Sequence, residues 1–265
     1  MTPASIAFDG VVVRYPNSDR NAVDGVSLEL GGGELVVILG PSGCGKSTLL
    51  RTVNRLVNLD AGRVLLDGSD VTGLDPVQLR RSVGYVIQAI GLFGHMSVAQ
   101  NIGVVPSLLG WKPAEIARRV DELLELVGLD PARYRDRRPS RLSGGEAQRI
   151  GVARAIAARP RALLMDEPFG AVDVVARTSL QRELIRIVRE LATTTLFVTH
   201  DVDEAFRLAD RIVVMRSGRI EQAAAPLELF DNPATDYVRD LTHAGDDVYR
   251  EYFLHTRDLL RTSAR

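Results

Sequence analysis

The stretch ELVVILGPSGCGKST, Glu34 to Thr48, decides how this chain is read. Its first half is a compact apolar run closing at Leu39, the composition of a strand buried on both faces. Lys46 to Asn54 then takes helical spacing. Between them Gly40, Pro41, Ser42, Gly43, Cys44, Gly45, Lys46, Ser47 and Thr48 match the spacing G-x-x-x-x-G-K-[ST] in its strand–loop–helix context. Glycines let backbone N–H groups converge on phosphate oxygens, and a helix N-terminus adds a favourable dipole. Lys46 supplies a compact charge that a planar guanidinium replaces poorly. Of the 33 basic residues only Lys46 and Lys112 are lysines, so position 46 keeps its lysine against the bias of the whole chain. The Ser47 hydroxyl suits Mg²⁺. A glycine-rich turn that merely caps a helix is the bland alternative, and the flanking strand disfavours it.

Outward from this loop, Ile6 to Leu30 reads as short strands separated by turns, and Val64 to Leu66 as another. Pro113 opens a helix to Val127 with Ile116, Val120, Leu123 and Leu124 on one face. From Ala162 strands and helices alternate: strand 162–165, helix to about 192, strand 195–199, helix 202–209, strand 212–215. Such alternation implies a parallel sheet covered on both faces. The mainly helical stretch from about 97 to 158 is a candidate inserted subdomain.

At 265 residues the chain can bury a substantial core as one large α/β domain or two smaller ones. A formal net charge of -1 gives no bulk attraction to nucleic acid or anionic lipid. The single cysteine excludes an internal disulfide framework and fits a reducing compartment. The first residues do not resemble a signal peptide, and no apolar run is long enough to span a membrane. The expectation is a soluble, cytoplasmic chain that does not bind nucleic acid.

RALLMDEP, Arg161 to Pro168, is an apolar strand ending in two adjacent acids. A parallel strand delivers its last residues to the carboxyl edge of the sheet, where ligands bind. Asp166 is therefore the candidate Mg²⁺ ligand and Glu167 the candidate base for an attacking water. Two acids capping the next turn is the alternative, and the phosphate loop weighs against it. His200 and Gln88 also end apolar runs, His200 as a candidate γ-phosphate contact and Gln88 as an uncharged amide able to orient water or meet Mg²⁺. Ser143-Gly144-Gly145 before a helix makes a second anion-receptive N-terminus.

RLSGGEAQR, Arg141 to Arg149, resembles the signature motif of the ATP-binding cassette (ABC) ATPases. Its place after the phosphate loop and Gln88, and before Asp166-Glu167 and His200, matches that family's order over about Val11 to Leu241. The resemblance implies a P-loop NTPase fold: a RecA-like core with an N-terminal antiparallel β subdomain and an ABC-specific α-helical subdomain, residues 242–265 being a short C-terminal tail that reads as helical. It implies ATP and Mg²⁺ as ligands and Tyr15 stacking on adenine. It further implies a head-to-tail homodimer in which Ser143 to Gly145 of one copy reach the γ-phosphate held by the other, with Asp173 at that interface. Val172 stands where leucine is usual, and Gly94 where a proline is expected.

Within the family, a single cassette without a heptad insertion resembles the energising subunit of a transporter. IGLFGHMSVAQNIGVVPSLLGW, Ile90 to Trp111, resembles importers of glycine betaine, choline and carnitine, with importers of amino acids or other small solutes as the alternative. Such a chain would sit at the cytoplasmic face of the membrane, with permease subunits docked near Ile90 to Ser97 and a solute-binding protein engaged indirectly.

Overall fold

The computed structural model describes residues 3–88, 91–170 and 174–243. Two sheets organise them. The smaller is antiparallel, in the order β2 (Val23–Leu30), β1 (Ile6–Val13), β4 (Ala61–Leu66), β5 (Ser69–Asp70). In β1 Ile6, Phe8, Val11 and Val13 are buried, the alternation expected of a strand with one face on a core.

The larger sheet runs β10 (Arg219–Ala224), β9 (Arg211–Arg216), β3 (Leu35–Leu39), β8 (Thr194–Thr199), β7 (Ala162–Asp166), β6 (Val83–Val86). The five strands from β9 to β6 are mutually parallel, and β10 closes one edge as an antiparallel hairpin. Every residue of β3, β7 and β8 is buried, because both faces of the sheet are covered. Period-two alternation divides them. Leu35, Val37 and Leu39 join a core with Met165 and Phe197, while Val36 and Ile38 join a second core with Leu164, Leu196 and Val198.

The second core is filled by α1 (Lys46–Val53), through Leu49, Leu50 and Val53, and by the inner face of the antiparallel sheet. A short helix, α2 (Pro76–Ser82), precedes β6. Between β6 and β7 lie α3 (Val98–Leu108), α4 (Pro113–Leu126), α5 (Pro131–Tyr134) and α6 (Gly144–Ile156). The long α7 (Val174–Leu191) and α8 (Val202–Leu208) contribute to the first core, and α9 (Pro226–Asp231) and α10 (Asp236–His243) follow the hairpin.

Differences from the sequence reading have local causes. α2 has too few buried residues, Leu79 alone, to show a periodic signal. α3 carries Pro106 inside it, a residue that argues against a helix when read alone. Its start is fixed by a capping box in which the Ser97 hydroxyl accepts from the Gln100 N–H and Gln100 answers the Ser97 N–H. Of the expected helical tail at 242–265, Thr242 and His243 end α10, and residues 244–265 fall outside the described residues.

Candidate nucleotide site

The parallel register carries the separate sequence signals to one edge. Leu39 pairs with Thr199, Asp166 with Val198, and Val86 with Met165. Gly40 and His200 therefore leave the sheet at one level, and Gln88 and Glu167 do so at another. Residues dispersed over more than 150 positions converge because each follows the carboxyl end of an adjacent strand.

The loop after β3 is shaped by close approach. A Cβ at Gly40 would lie 2.2 Å from the Met215 carbonyl oxygen. One at Gly45, whose φ is +107°, would lie 2.1 Å from that of Ala22. Cys44 is buried behind the loop, and burial pushes its thiol up from the usual range. Lys46, 4% exposed, donates from Nζ to the carbonyls of Gly40 and Pro41 at 2.8 and 2.9 Å. Its ammonium is thus folded back on the loop that presents it.

Over this loop lies a cleft of about 440 Å³, lined by Tyr15, Ser42, Gly43, Lys46, Gln88 and Glu167 among others. Tyr15 is 45% exposed, and its hydroxyl lies 3.1 Å from the Thr48 hydroxyl. An exposed aromatic anchored at its polar end offers a ring face to a ligand.

Asp166 sits beneath the cleft. Its Oδ1 accepts from the Ser47 hydroxyl at 2.6 Å, and its Oδ2 from Arg51 Nη2 at 2.9 Å and the Tyr85 hydroxyl at 3.2 Å. Burial pushes the Tyr85 phenol up, keeping it a donor. Sequence reasoning missed Arg51 and Tyr85. One reads as a solvated helix arginine and the other as a strand aromatic, and only tertiary packing aims both at Asp166.

Glu167 follows β7 with φ +45°, a left-handed conformation uncommon for non-glycine residues that turns the chain sharply at the strand end. Its Oε2 accepts from the Gln88 amide at 3.2 Å and lies 3.2 Å from His200 Nδ1. Three residues singled out separately in the sequence thus meet at one oxygen.

Ser143 to Gly145 do not line this cleft; they open α6. The Ser143 hydroxyl accepts from the Glu146 N–H at 3.2 Å, and Glu146 accepts from the Ser143 N–H at 2.7 Å. The Tyr134 hydroxyl, followed by the Ser143 N–H, holds the Glu146 carboxyl below the usual carboxylate range. Ser143 and Gly144 are exposed, so this helix N-terminus faces outward. Asp173 and Ile90 lie outside the described residues.

The segment after Gln88 is held from both sides. Buried Asn101 accepts from the Phe93 N–H and donates to the Phe93 and Ser97 carbonyls. Arg154 of α6 donates to the Gly91 carbonyl at 2.8 Å with its guanidinium 5.6 Å from the Phe93 ring centre, and Arg138 donates to the His95 carbonyl. Phe93 nevertheless stays 42% exposed. Beside it runs a groove of about 700 Å³ with Met96, Val104, Leu108, Trp111 and Ile116 in its walls.

The family model described as ABC transporter matches residues 23–170. The chain belongs to the ABC transporter family. It is 50% identical, over 83% of its length, to the glycine betaine/carnitine/choline transport ATP-binding protein OpuCA of Bacillus subtilis. It is 51% identical, over 82% of its length, to the sulfate/thiosulfate import ATP-binding protein CysA of Methylococcus capsulatus. The chain spans 58% of the length of that OpuCA and 62% of that CysA. Among solved structures it resembles the dimeric ABC cassette MJ0796 in a post-hydrolysis state with ADP and Pi, at a TM-score of 0.74 and 30% identity. That match covers 83% of this chain and 98% of the cassette. No described helix of this ABC chain is long and apolar enough to cross a membrane.

Proposed function

We propose that this chain is the ATP-hydrolysing subunit of an ABC importer for a quaternary-amine osmoprotectant such as glycine betaine, choline or carnitine. The observation that carries the ATPase reading is the meeting of Gln88, Glu167 and His200 at one carboxylate oxygen, above a phosphate loop in which Lys46 and Ser47 face the same cleft. ATP fits this cleft: Gly43, Gly45, Lys46 and Ser47 line it at the N-terminus of α1, where phosphates are favoured, and Tyr15 offers a ring face for adenine.

Mg²⁺ fits as well. Ser47, Asp166 and Gln88 offer hard oxygen donors, and among the described residues no group of three His, Cys, Asp or Glu forms a closed metal cage. Such a donor set suits an ion that completes its shell with water and phosphate oxygens. When bound, Mg²⁺ would neutralise charge on the β- and γ-phosphates. Lys46 turns its ammonium from the loop carbonyls to the phosphates, and residues 43–48 direct their N–H groups at them. Glu167 takes a proton from the attacking water, Gln88 orients that water, and His200 holds the γ-phosphate.

Ser143 to Gly145 open outward and so suit the nucleotide of a second copy, closing a head-to-tail homodimer with Asp173 at its interface. Residues 1–241 act as the cassette, with 97–158 as its helical subdomain. The groove beside Phe93 takes a short permease helix, which places the chain peripherally at the cytoplasmic face of the membrane. The osmoprotectant assignment rests on the sequence from Ile90 to Trp111 and on relatives whose names state such transport. A second reading, an importer of another small solute, is favoured by the equal identity to sulfate/thiosulfate subunits.

Glu167→Gln should abolish hydrolysis while ATP drives the variant into a dimer on gel filtration. Hydrolysis at the wild-type rate would refute the assignment of the base. Uptake of radiolabelled glycine betaine and of sulfate by the importer that co-purifies with the chain separates the two substrate readings.

A further inference from the structure

We infer that Glu204 is a positioning residue for His200, locking the backbone on both sides of the histidine and tying it to α7. The inference rests on the proposed role of His200. Glu204 lies on α8, one helical turn beyond His200, and is 4% exposed. Its Oε2 accepts from the Thr199 hydroxyl at 2.6 Å, and its Oε1 accepts from the buried amide of Gln181, on α7, at 3.1 Å. The Thr199 Oγ1 in turn accepts from the Asp201 N–H at 3.0 Å, and Asp201 Oδ1 accepts from the Glu204 N–H at 3.1 Å. The residues before and after His200 are thus held by one network that closes on Glu204.

His200 needs such a frame. Its side chain is 56% exposed, so its direction is set by the backbone at 199–201 more than by packing, and it must deliver Nδ1 to within 3.2 Å of Glu167. A carboxylate in a helix–sheet seam carries a desolvation penalty that an aliphatic side chain avoids. The ordinary structural need at this point, capping α8, is met by Asp201. The two oxygens of Glu204 instead join two elements: β8, whose last residue Thr199 immediately precedes the histidine, and α7, through Gln181. A network satisfied at every member rigidifies the groups it holds.

The test uses the full chain labelled with ¹⁵N-histidine. It contains four histidines, and loss of one imidazole signal in His200→Gln assigns that residue. Thr199→Val, which is isosteric, and Glu204→Ala should both move the His200 signal toward that of a free, exposed imidazole. Both should lower kcat for ATP about 10- to 100-fold, the effect of misplacing a reacting group by about an ångström. KM should stay within about twofold, because the phosphate loop is not touched. Glu204→Gln should remain close to wild type, since the Gln181 amide can rotate to present its oxygen to the new NH₂. A His200 signal unmoved in Thr199→Val and Glu204→Ala overturns the proposal, even if kcat falls. If the alanine variant does not fold, Thr199→Val decides alone. The signal is read without nucleotide, so its outcome stands apart from whether His200 acts in hydrolysis.

Discussion

Replacing Arg51 by methionine keeps an unbranched stem on α1 and removes the charge that faces Asp166. The Asp166 side chain is 1% exposed and that of Arg51 is 41% exposed, at a separation of 2.9 Å. Stripping the partner from a fully buried charge costs about 3–5 kcal/mol. Two features reduce that figure here. Arg51 is partly in water, where its attraction is screened. The carboxylate also keeps the Ser47 and Tyr85 hydroxyls at 2.6 and 3.2 Å. The remaining loss is about 1–2 kcal/mol, in the range for a buried charged acceptor that loses one of several donors. For a chain of this size that lowers Tm by roughly 3–6 °C. Thermal unfolding of the nucleotide-free chain, followed by far-UV circular dichroism, measures it. Asp166→Asn in the Arg51→Met background should recover about half of the loss or more, because it removes the charge left unpaired. A Tm for Arg51→Met at or above wild type, or a double variant whose loss is the sum of the singles, would refute this electrostatic account of the site.

Gly45→Ala should weaken ATP binding about 100-fold, since its Cβ would force an ångström-scale displacement of the loop from the Ala22 carbonyl; titration with a fluorescent ATP analogue showing unchanged affinity would sink this. Tyr134→Phe removes the largest contribution to the depressed Glu146 carboxyl. A depressed acid stabilises the fold above its unfolded value, about 4.3, and that stability is lost as pH falls through the folded value. The variant should therefore be less stable than wild type at neutral pH and converge with it in acid; parallel curves of stability against pH would contradict the assignment. Charging the exposed loop aromatic by Phe93→Glu should reduce uptake by the reconstituted importer more than it reduces ATP hydrolysis by the isolated chain. Equal reductions would remove Phe93 from the docking surface.

Glu34 to Thr48 was legible as strand, loop and helix because three local demands coincide there: a doubly buried apolar run, glycines at fixed offsets and a lysine at the helix start. Strands β7, β8 and β9 were legible because burial on both faces leaves each a short apolar centre, at residues 162–165, 196–198 and 212–215. Helix α3 was read only as part of a helical stretch, because Pro106 speaks against it and the stabilising capping box depends on side-chain geometry. Arg51, Tyr85 and Glu204 carry no spacing signature at all, since each acts on a residue remote in sequence or across an element boundary.

The sequence by itself determined the chemistry offered at each strand end: a phosphate loop, an acid pair, a histidine, a glutamine and an N-terminus suited to anions. Only the tertiary structure decided which of these meet. The order β3, β8, β7, β6 and its parallel register bring Lys46, His200, Glu167 and Gln88 to one edge, while Ser143 opens a helix outside the cleft they surround. Pairing between strands is a long-range choice made by packing of both sheet faces, and no local stretch encodes it.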